Sequence, residues 1–395
     1  MRLSGLVGGI QLSVTLALDA RAKARAASGH DVINMAVGEP DFPAPSAVRE
    51  AARARIATGD VKYTPAAGAP ETRRAIAGHI AATRGVVYAP EEVVVCHSAK
   101  HALSGALFAL VERGDEVLIP LPAWVSYVDL VKIAGATPVP IAPLDGGRPD
   151  LDALAAAVTP RTRAVLFNSP CNPSGYVWTR AEVERLARLA VERDLAVISD
   201  EIYRRLVYEG EPAVSPASLG AESRSRTVIV DGASKSFAMT GYRIGFLAGP
   251  RPVVDAVTRL HSQTTGAPNT VSQAAYTAAL QVEPPEVAGM VREFAARRDL
   301  CLAGLQRMGL STPVPRGAFY LFPDVGEYAD ARGSVGFCED LLEQQDLALV
   351  PGAAFGQDRH VRLSYALGRE RIAEALVRLE AFLRARRAAP VSAPR

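Results

Sequence analysis

From about residue 90 to 250, short apolar runs alternate with helical stretches. Val93–Val95, Val117–Ile119, Val139, Ala164–Phe167, Ala196–Ile198, Val228–Val230 and Ile244–Ala248 each read as a buried strand. The alternation predicts an α/β domain around a mostly parallel sheet. Further runs at Phe319–Phe322, Ala348–Val350 and Val361–Ser364 supply strands for a second, smaller domain. The division expected is a large domain over residues 46–290 and a small one formed by both chain ends, 1–45 and 291–395. A helix from about Glu286 to Leu302, set off by Pro284-Pro285, links the two. No internal repeat is present, and the Ala/Arg/Pro-rich stretch after Leu383 is expected to fray.

The apolar run from Leu6 to Leu18 has the look of a secretory core, but Gln11, Ser13 and Thr15 interrupt it. It continues directly into Asp19–Arg25, which reads as an amphipathic helix. No stretch approaches the roughly twenty apolar residues of a membrane span, so a cytoplasmic protein is expected. With 44 Lys and Arg against 42 Asp and Glu over 395 residues, the net charge of +2 gives no reason to expect nucleic acid or a membrane surface as partner. The four cysteines, Cys96, Cys171, Cys301 and Cys338, have no paired spacing and read as reduced thiols. Cys96 adjoins His97, but neighbours on a strand point to opposite faces and would not ligate one ion, so no metal is expected.

The candidate chemistry centres on Lys235, in Asp231-Gly-Ala-Ser-Lys235-Ser-Phe-Ala-Met-Thr-Gly-Tyr-Arg243. An apolar strand delivers the lysine into a small-residue turn, with an arginine eight positions on. This is a setting for a Schiff-base lysine beside a phosphate clamp, and the Arg243 charge would lower the pKa of the amine. In Leu195-Ala-Val-Ile-Ser-Asp200-Glu-Ile-Tyr203, a buried run ends in a carboxylate with a phenol three residues later. Asp200 there could pair with the protonated nitrogen of a pyridoxal phosphate ring, with Tyr203 donating to the ring's phenolate oxygen. Asn172 could donate to the same oxygen from the turn Asn168-Ser-Pro170-Cys-Asn172-Pro173-Ser-Gly175. Standing alone, Asp200 reads equally as a helix cap with Tyr203 packed on it, and Asn172 as a turn residue.

These three segments, in this order, resemble the motifs of the class I/II pyridoxal phosphate aminotransferases of fold type I. Val37-Gly38-Glu-Pro-Asp-Phe42, Lys62-Tyr63-Thr-Pro-Ala-Ala-Gly68, Ser98-Ala-Lys-His101, Pro122-Ala-Trp124, Gly317-Ala-Phe-Tyr320 and Val361-Arg362-Leu-Ser-Tyr-Ala366 extend the resemblance over nearly the whole chain. It implies pyridoxal 5'-phosphate as cofactor, with Lys235, Asp200 and Tyr203 in the catalytic roles. Ser98, Ala99 and Lys100 at a helix start, together with Ser234 and Arg243, would hold its phosphate, and Trp124 would stack on its ring. Arg362 would grip the substrate α-carboxylate, for which a guanidinium is suited. Trp124 and Asn172 would also face substrate, and Gly38 would close over it. Tyr63 resembles a tyrosine that reaches the phosphate of a neighbouring subunit, so a homodimer with shared active sites is implied, and the segment Ser262–Asn269 could contribute across the same interface. Read without the resemblance, Trp124 suits core packing, Arg362 an edge strand and Lys100 a solvated first turn.

The chain is most similar to the bacterial aspartate aminotransferase subgroup, where a lysine at the position of Lys100 and a threonine at that of Thr15 can bind an acidic side chain. An amino acid, aspartate or glutamate, and a 2-oxo acid are the implied substrates, exchanged by a ping-pong mechanism. The subgroup also includes prephenate and aromatic aminotransferases. A lyase, a decarboxylase or another biosynthetic enzyme on the same scaffold is a further alternative, because the cofactor residues fix carbanion formation and not its fate. Gln11, Ala123 and Gly232 depart from the family pattern, which bears on substrate range more than on cofactor binding. A nucleotide-binding fold would need a glycine pattern after its first strand, where this chain has Cys96-His-Ser-Ala-Lys-His101. A transcription regulator of this type would need an added DNA-binding domain, for which the resemblance leaves no room.

Overall fold

The computed structural model describes residues 3–10 and 14–388, so Gln11 lies outside the described residues. Strands, in chain order, are β1 (Ile33–Asn34), β2 (Val93–Cys96), β3 (Glu116–Pro120), β4 (Thr137–Ile141), β5 (Thr162–Asn168), β6 (Ala196–Asp200), β7 (Thr227–Gly232), β8 (Gly245–Ala248), β9 (Tyr320–Leu321), β10 (Leu347–Ala348), β11 (Val350–Pro351) and β12 (Val361–Ser364). β2 to β8 form one sheet in the order β2-β8-β7-β6-β5-β3-β4. Pairing is parallel throughout from β7 to β4, while β8 runs antiparallel to both of its neighbours. The fold is the expected α/β class.

The apolar runs are continuous because both faces of this sheet are covered. Val94, Ile198, Val230 and Leu247 pack on one face against Leu103 and Leu107 of the Ala99–Leu110 helix. Val93, Val95, Ile229 and Phe246 pack on the other, against Ile76 and Ile80 of the Pro70–Arg84 helix and Tyr276 of the Thr270–Gln281 helix. Successive strand residues thus serve opposite layers. The parallel strands all end at one sheet edge, where open α/β sheets bind ligands.

Both chain ends contribute to the smaller sheets. β1 pairs in parallel with β10, and β11-β12-β9 form an antiparallel sheet. Ile33, Phe294, Phe319, Phe337, Leu363 and Phe382 share one core, which Tyr203 and Leu206 also enter from beyond β6.

Two expectations about helices change. The linking helix runs Pro285–Arg307, longer than its sequence pattern predicts, because Cys301 and Leu305 remain on its buried face. The last helix, Arg369–Ala388, continues past Leu383 instead of fraying there. Phe382 and Leu383 are buried, and Arg386 donates to the Tyr328 carbonyl at 2.6 Å, anchoring the final turns. Near the start, Val14–Ala27 is the helix anticipated around Asp19–Arg25, with Leu18 and Ala22 on its buried face. Among the described residues, no helix is long and apolar enough to cross a membrane.

Candidate active site

A cavity of about 410 Å³ opens at the C-terminal edge of the central sheet, within the size range of small-molecule sites. Every candidate site residue except Tyr63 lines it. Asn168 and Asp200 are the last residues of β5 and β6 and pair in register. Lys235 follows β7 in the short Ala233–Ser236 helix.

The Lys235 amine donates to the Gly38 carbonyl at 2.5 Å, so the N-terminal segment closes directly over it. Burial pulls its pKa down to about 8. Glu39 opposes that shift, and Arg362 and then Arg243 add to it. Desolvation is therefore the main cause, where the sequence suggested the Arg243 charge. Arg243 stands at the rim, its guanidinium donating to the Thr240 carbonyl at 2.8 Å.

Asp200 is buried, and burial pushes its carboxyl up to about 7. Tyr127 donates to its Oδ2 at 2.6 Å and the Ile202 N–H to its Oδ1 at 3.2 Å, both favouring the ionised form. The Asn168 amide donates to the Asp200 carbonyl at 2.8 Å, and Asn168 Oδ1 accepts from the Asn172 N–H at 2.8 Å. The proline-rich turn is thereby tied to the end of β6. Tyr203, whose ionisation burial strongly opposes, shares a hydrogen bond of 2.9 Å with the Tyr320 hydroxyl.

Arg362 is buried on β12. It donates to Asn172 Oδ1 at 3.0 Å and to the Ala36 carbonyl at 2.7 Å, and its guanidinium lies over the Tyr320 ring at 4.5 Å. Its Nε has no partner. A buried guanidinium held only by neutral groups is an anion site awaiting its counter-charge. Because Asn172 accepts from Arg362 with its oxygen, its NH2 group remains to donate into the cavity.

At the opposite end, Ser98 caps the Ala99–Leu110 helix by accepting from the His101 N–H at 3.2 Å. The N–H groups of Ala99 and Lys100 lie in a first turn that offers no internal acceptors, where a helix favours anions. Gly245 lets β8 approach this turn, since a Cβ there would lie 2.7 Å from the Ala99 nitrogen. The Lys100 amine sits over the Trp124 ring, 4.8 Å from its centroid. Thr15 reaches the cavity from the Val14–Ala27 helix. Tyr63 is fully exposed and outside the cavity.

Tyr127, Tyr320 and Asn168 were not assigned roles from sequence. The spacing Trp124-x-x-Tyr127 places both aromatic residues at one helix start and was the available signal; Tyr320 and Asn168 lay unassigned within quoted motifs. Cys171, within the Asn168–Gly175 turn, does not line the cavity. It is buried with its thiol donating to the Pro122 carbonyl at 3.3 Å, and burial raises its pKa.

The residues fit the cofactor that the resemblance implies. A desolvated lysine amine, a buried carboxylate with no cation in contact, an anion-seeking helix start and an unsatisfied guanidinium occur in one cavity, and each complements a different part of an amino acid and pyridoxal phosphate.

A family model described as aminotransferase class I and II matches residues 30–379. The chain is 40% identical to the aspartate aminotransferase of Geobacillus stearothermophilus, over 98% of this chain and 100% of the relative. It is 42% identical to the aspartate/prephenate aminotransferase of Thermus thermophilus, over 96% of this chain and 98% of the relative. A solved structure of the Thermus thermophilus aspartate aminotransferase with maleate superposes with a TM-score of 0.93 at 41% identity, covering 97% of this chain and 100% of that one.

Proposed function

The chain belongs to the class I and II aminotransferases, pyridoxal phosphate-dependent enzymes of fold type I, and within that family we propose that its amino donor is an acidic amino acid, aspartate or glutamate. As an aminotransferase it moves an amino group between an amino acid and a 2-oxo acid. The observation that carries the acidic assignment is a second cation in the cavity: Lys100 lies over Trp124, apart from Arg362, with Thr15 lining the same space. Asp19 also borders it, but Lys23 and Asn34 each hold one of its oxygens at 2.7 Å, which blunts its repulsion of an acidic ligand. The relatives named for aspartate, and the one solved with maleate, a dicarboxylate, support the same reading.

Bound pyridoxal phosphate supplies an aldehyde that condenses with amines and an electron-poor ring that accepts the electron pair left when the substrate α-carbon loses its proton. Ser98, Ala99, Lys100, Ser234 and Arg243 would hold the phosphate, and Trp124 would stack on the ring. Asp200, ionised opposite a ring nitrogen, would keep that nitrogen protonated, because the ion pair pulls the carboxyl pKa back down. Tyr203 and Asn172 would donate to the phenolate oxygen. Arg362 would fix the substrate by its α-carboxylate, and Gly38 would cover it. With a pKa near 8, Lys235 can hold or release a proton near neutral pH, so it would remove the α-proton and return it at the carbon that was the cofactor's aldehyde. A second 2-oxo acid reverses the sequence, giving ping-pong kinetics.

The exposure of Tyr63, which does not line the cavity of its own chain, supports a homodimer in which it completes the partner's phosphate site. We further infer a cytoplasmic enzyme with a large domain over 46–290 and a small one over 1–45 and 291–395. Offering aspartate, glutamate, aromatic and neutral amino acids singly to the cofactor-loaded protein, and identifying each product, tests the donor. Only acidic donors should yield their 2-oxo acids, and Lys100→Ala should impair these selectively. An aromatic donor used as well as aspartate would favour the prephenate/aromatic alternative, and conversion without any 2-oxo acid would favour a lyase.

A further inference from the structure

Behind the phosphate end of the cavity, three side chains converge that transamination does not use. Cys96 ends β2, His101 lies in the first turn of the Ala99–Leu110 helix, and His261 lies in the last turn of the Arg251–Gln263 helix. One ligand atom from each lies within 4.8 Å of the other two. The His101 and His261 rings stack nearly parallel with centroids 4.3 Å apart, so one ring must turn for both lone pairs to meet a single ion.

His261 is fully buried, yet among the described residues neither of its ring nitrogens has a hydrogen-bond partner. Such burial is unfavourable unless something takes up the nitrogen lone pair. His101 contacts the His97 N–H and the Thr265 hydroxyl, each at 3.3 Å, both longer than a good hydrogen bond and readily given up. One thiol with two imidazoles suits zinc-class metals and disfavours magnesium and calcium, which take oxygen ligands.

We propose that Cys96, His101 and His261 form a binding site for a soft divalent metal ion of the zinc class. The Thr265 hydroxyl lies beside half-buried His101, 3.3 Å from its Nε2. The candidate site is empty. Burial disfavours protonation of both imidazoles, and the neutral form is the one that ligates. Burial also raises the Cys96 thiol, so ligation must expel its proton. Among the described residues, His97 also bears on these two imidazoles. The bound ion would join the end of β2 to the helix start that carries Ser98 and Ala99.

The test uses the full-length, cofactor-loaded protein, stripped with a chelator and dialysed. It is titrated with Zn²⁺ in a calorimeter and with Co²⁺ followed by absorption. One equivalent per chain should bind, with release of a proton and a thiolate-to-cobalt charge-transfer band. Loss of an outer partner of a ligand already costs about 10–100-fold in metal affinity, so Cys96→Ser and His261→Gln should each cost at least that, and Cys96→Ser should abolish the band. His101→Gln, at the half-buried position, should weaken Zn²⁺ binding similarly and serves if the core variants do not fold. No stoichiometric binding, cobalt bound without the thiolate band, or zinc affinity unchanged in His101→Gln would each overturn the proposal.

Discussion

Tyr127 donates its hydroxyl proton to Asp200 Oδ2 across 2.6 Å, with both groups buried at the end of β6. Burial nevertheless leaves the Asp200 carboxyl near 7, well above the ordinary carboxylate value. The folded cofactor-free protein therefore holds a proton that the unfolded chain has released above about pH 4, and stability falls as pH rises toward 7. Asp200→Asn should remove this slope, reducing the loss between about pH 5 and pH 8 by roughly 2–3 kcal/mol. Tyr127→Phe should extend the slope to higher pH. Denaturant unfolding of the three cofactor-free proteins at both pH values measures it, and identical slopes would refute the assignment.

Acylation of Lys235 in the cofactor-free protein should follow a midpoint near pH 8, read by peptide mass spectrometry. Glu39→Gln should lower that midpoint, since Glu39 raises the lysine pKa. Arg243→Gln should raise it only slightly, because burial is the larger cause. Lys235→Arg should cost about 10²–10⁴-fold in turnover, as the general base is lost. A wild-type midpoint at the ordinary lysine value would contradict the desolvated amine.

Arg362→Lys keeps the charge but loses the paired donors that meet a carboxylate. The replacement cannot reproduce the contacts to Asn172 and the Ala36 carbonyl together with stacking on Tyr320. A loss of about a hundredfold or more in kcat/KM is expected, on the order of 3 kcal/mol, mostly through KM. Steady-state kinetics at varied amino acid decides, and a kcat effect with KM unchanged would place Arg362 elsewhere in the mechanism.

Gly245→Ala should weaken cofactor binding by about tenfold and destabilise the fold by about 1–3 kcal/mol. Its Cβ would lie 2.7 Å from the Ala99 nitrogen and 2.8 Å from the Asp231 carbonyl oxygen, pushing β8 off the helix start. Gly241→Ala, with nothing within 4 Å of the added carbon, is the control and should change neither quantity. Equilibrium dialysis of the cofactor and denaturant melts compare the pair.

The sheet was legible because its strands are buried on both faces, so each announces itself as an unbroken apolar run. β1 carries too few residues for any period, and only its pairing with β10 defines it, while the single run read at Ala348–Val350 divides into β10 and β11, which join different sheets. Motif residues such as Asp200, Asn172 and Lys235 were legible because the chemistry and the turn composition coincide locally. Tyr127 and Tyr320 escaped assignment because their roles depend on hydroxyl partners at 2.6 and 2.9 Å that are remote in sequence. The convergence of Cys96 with His101 and His261 was hidden likewise, since the neighbour that draws the eye, His97, is not part of it.

Arg362 and the Ala36 carbonyl it contacts are separated by 326 positions along the chain. During synthesis the segment from Ile33 to Gly38 must therefore wait, without its pairing partners, until β10 and β12 have left the ribosome. The central sheet can assemble in the interval, but its ligand mouth stays uncovered. A polypeptide arrested before Phe322 would expose the apolar side of the Val14–Ala27 helix, and one arrested before Arg362 would lack the carboxylate clamp. Completion of the last strands is then the event that both pairs the early segment and installs the carboxylate clamp.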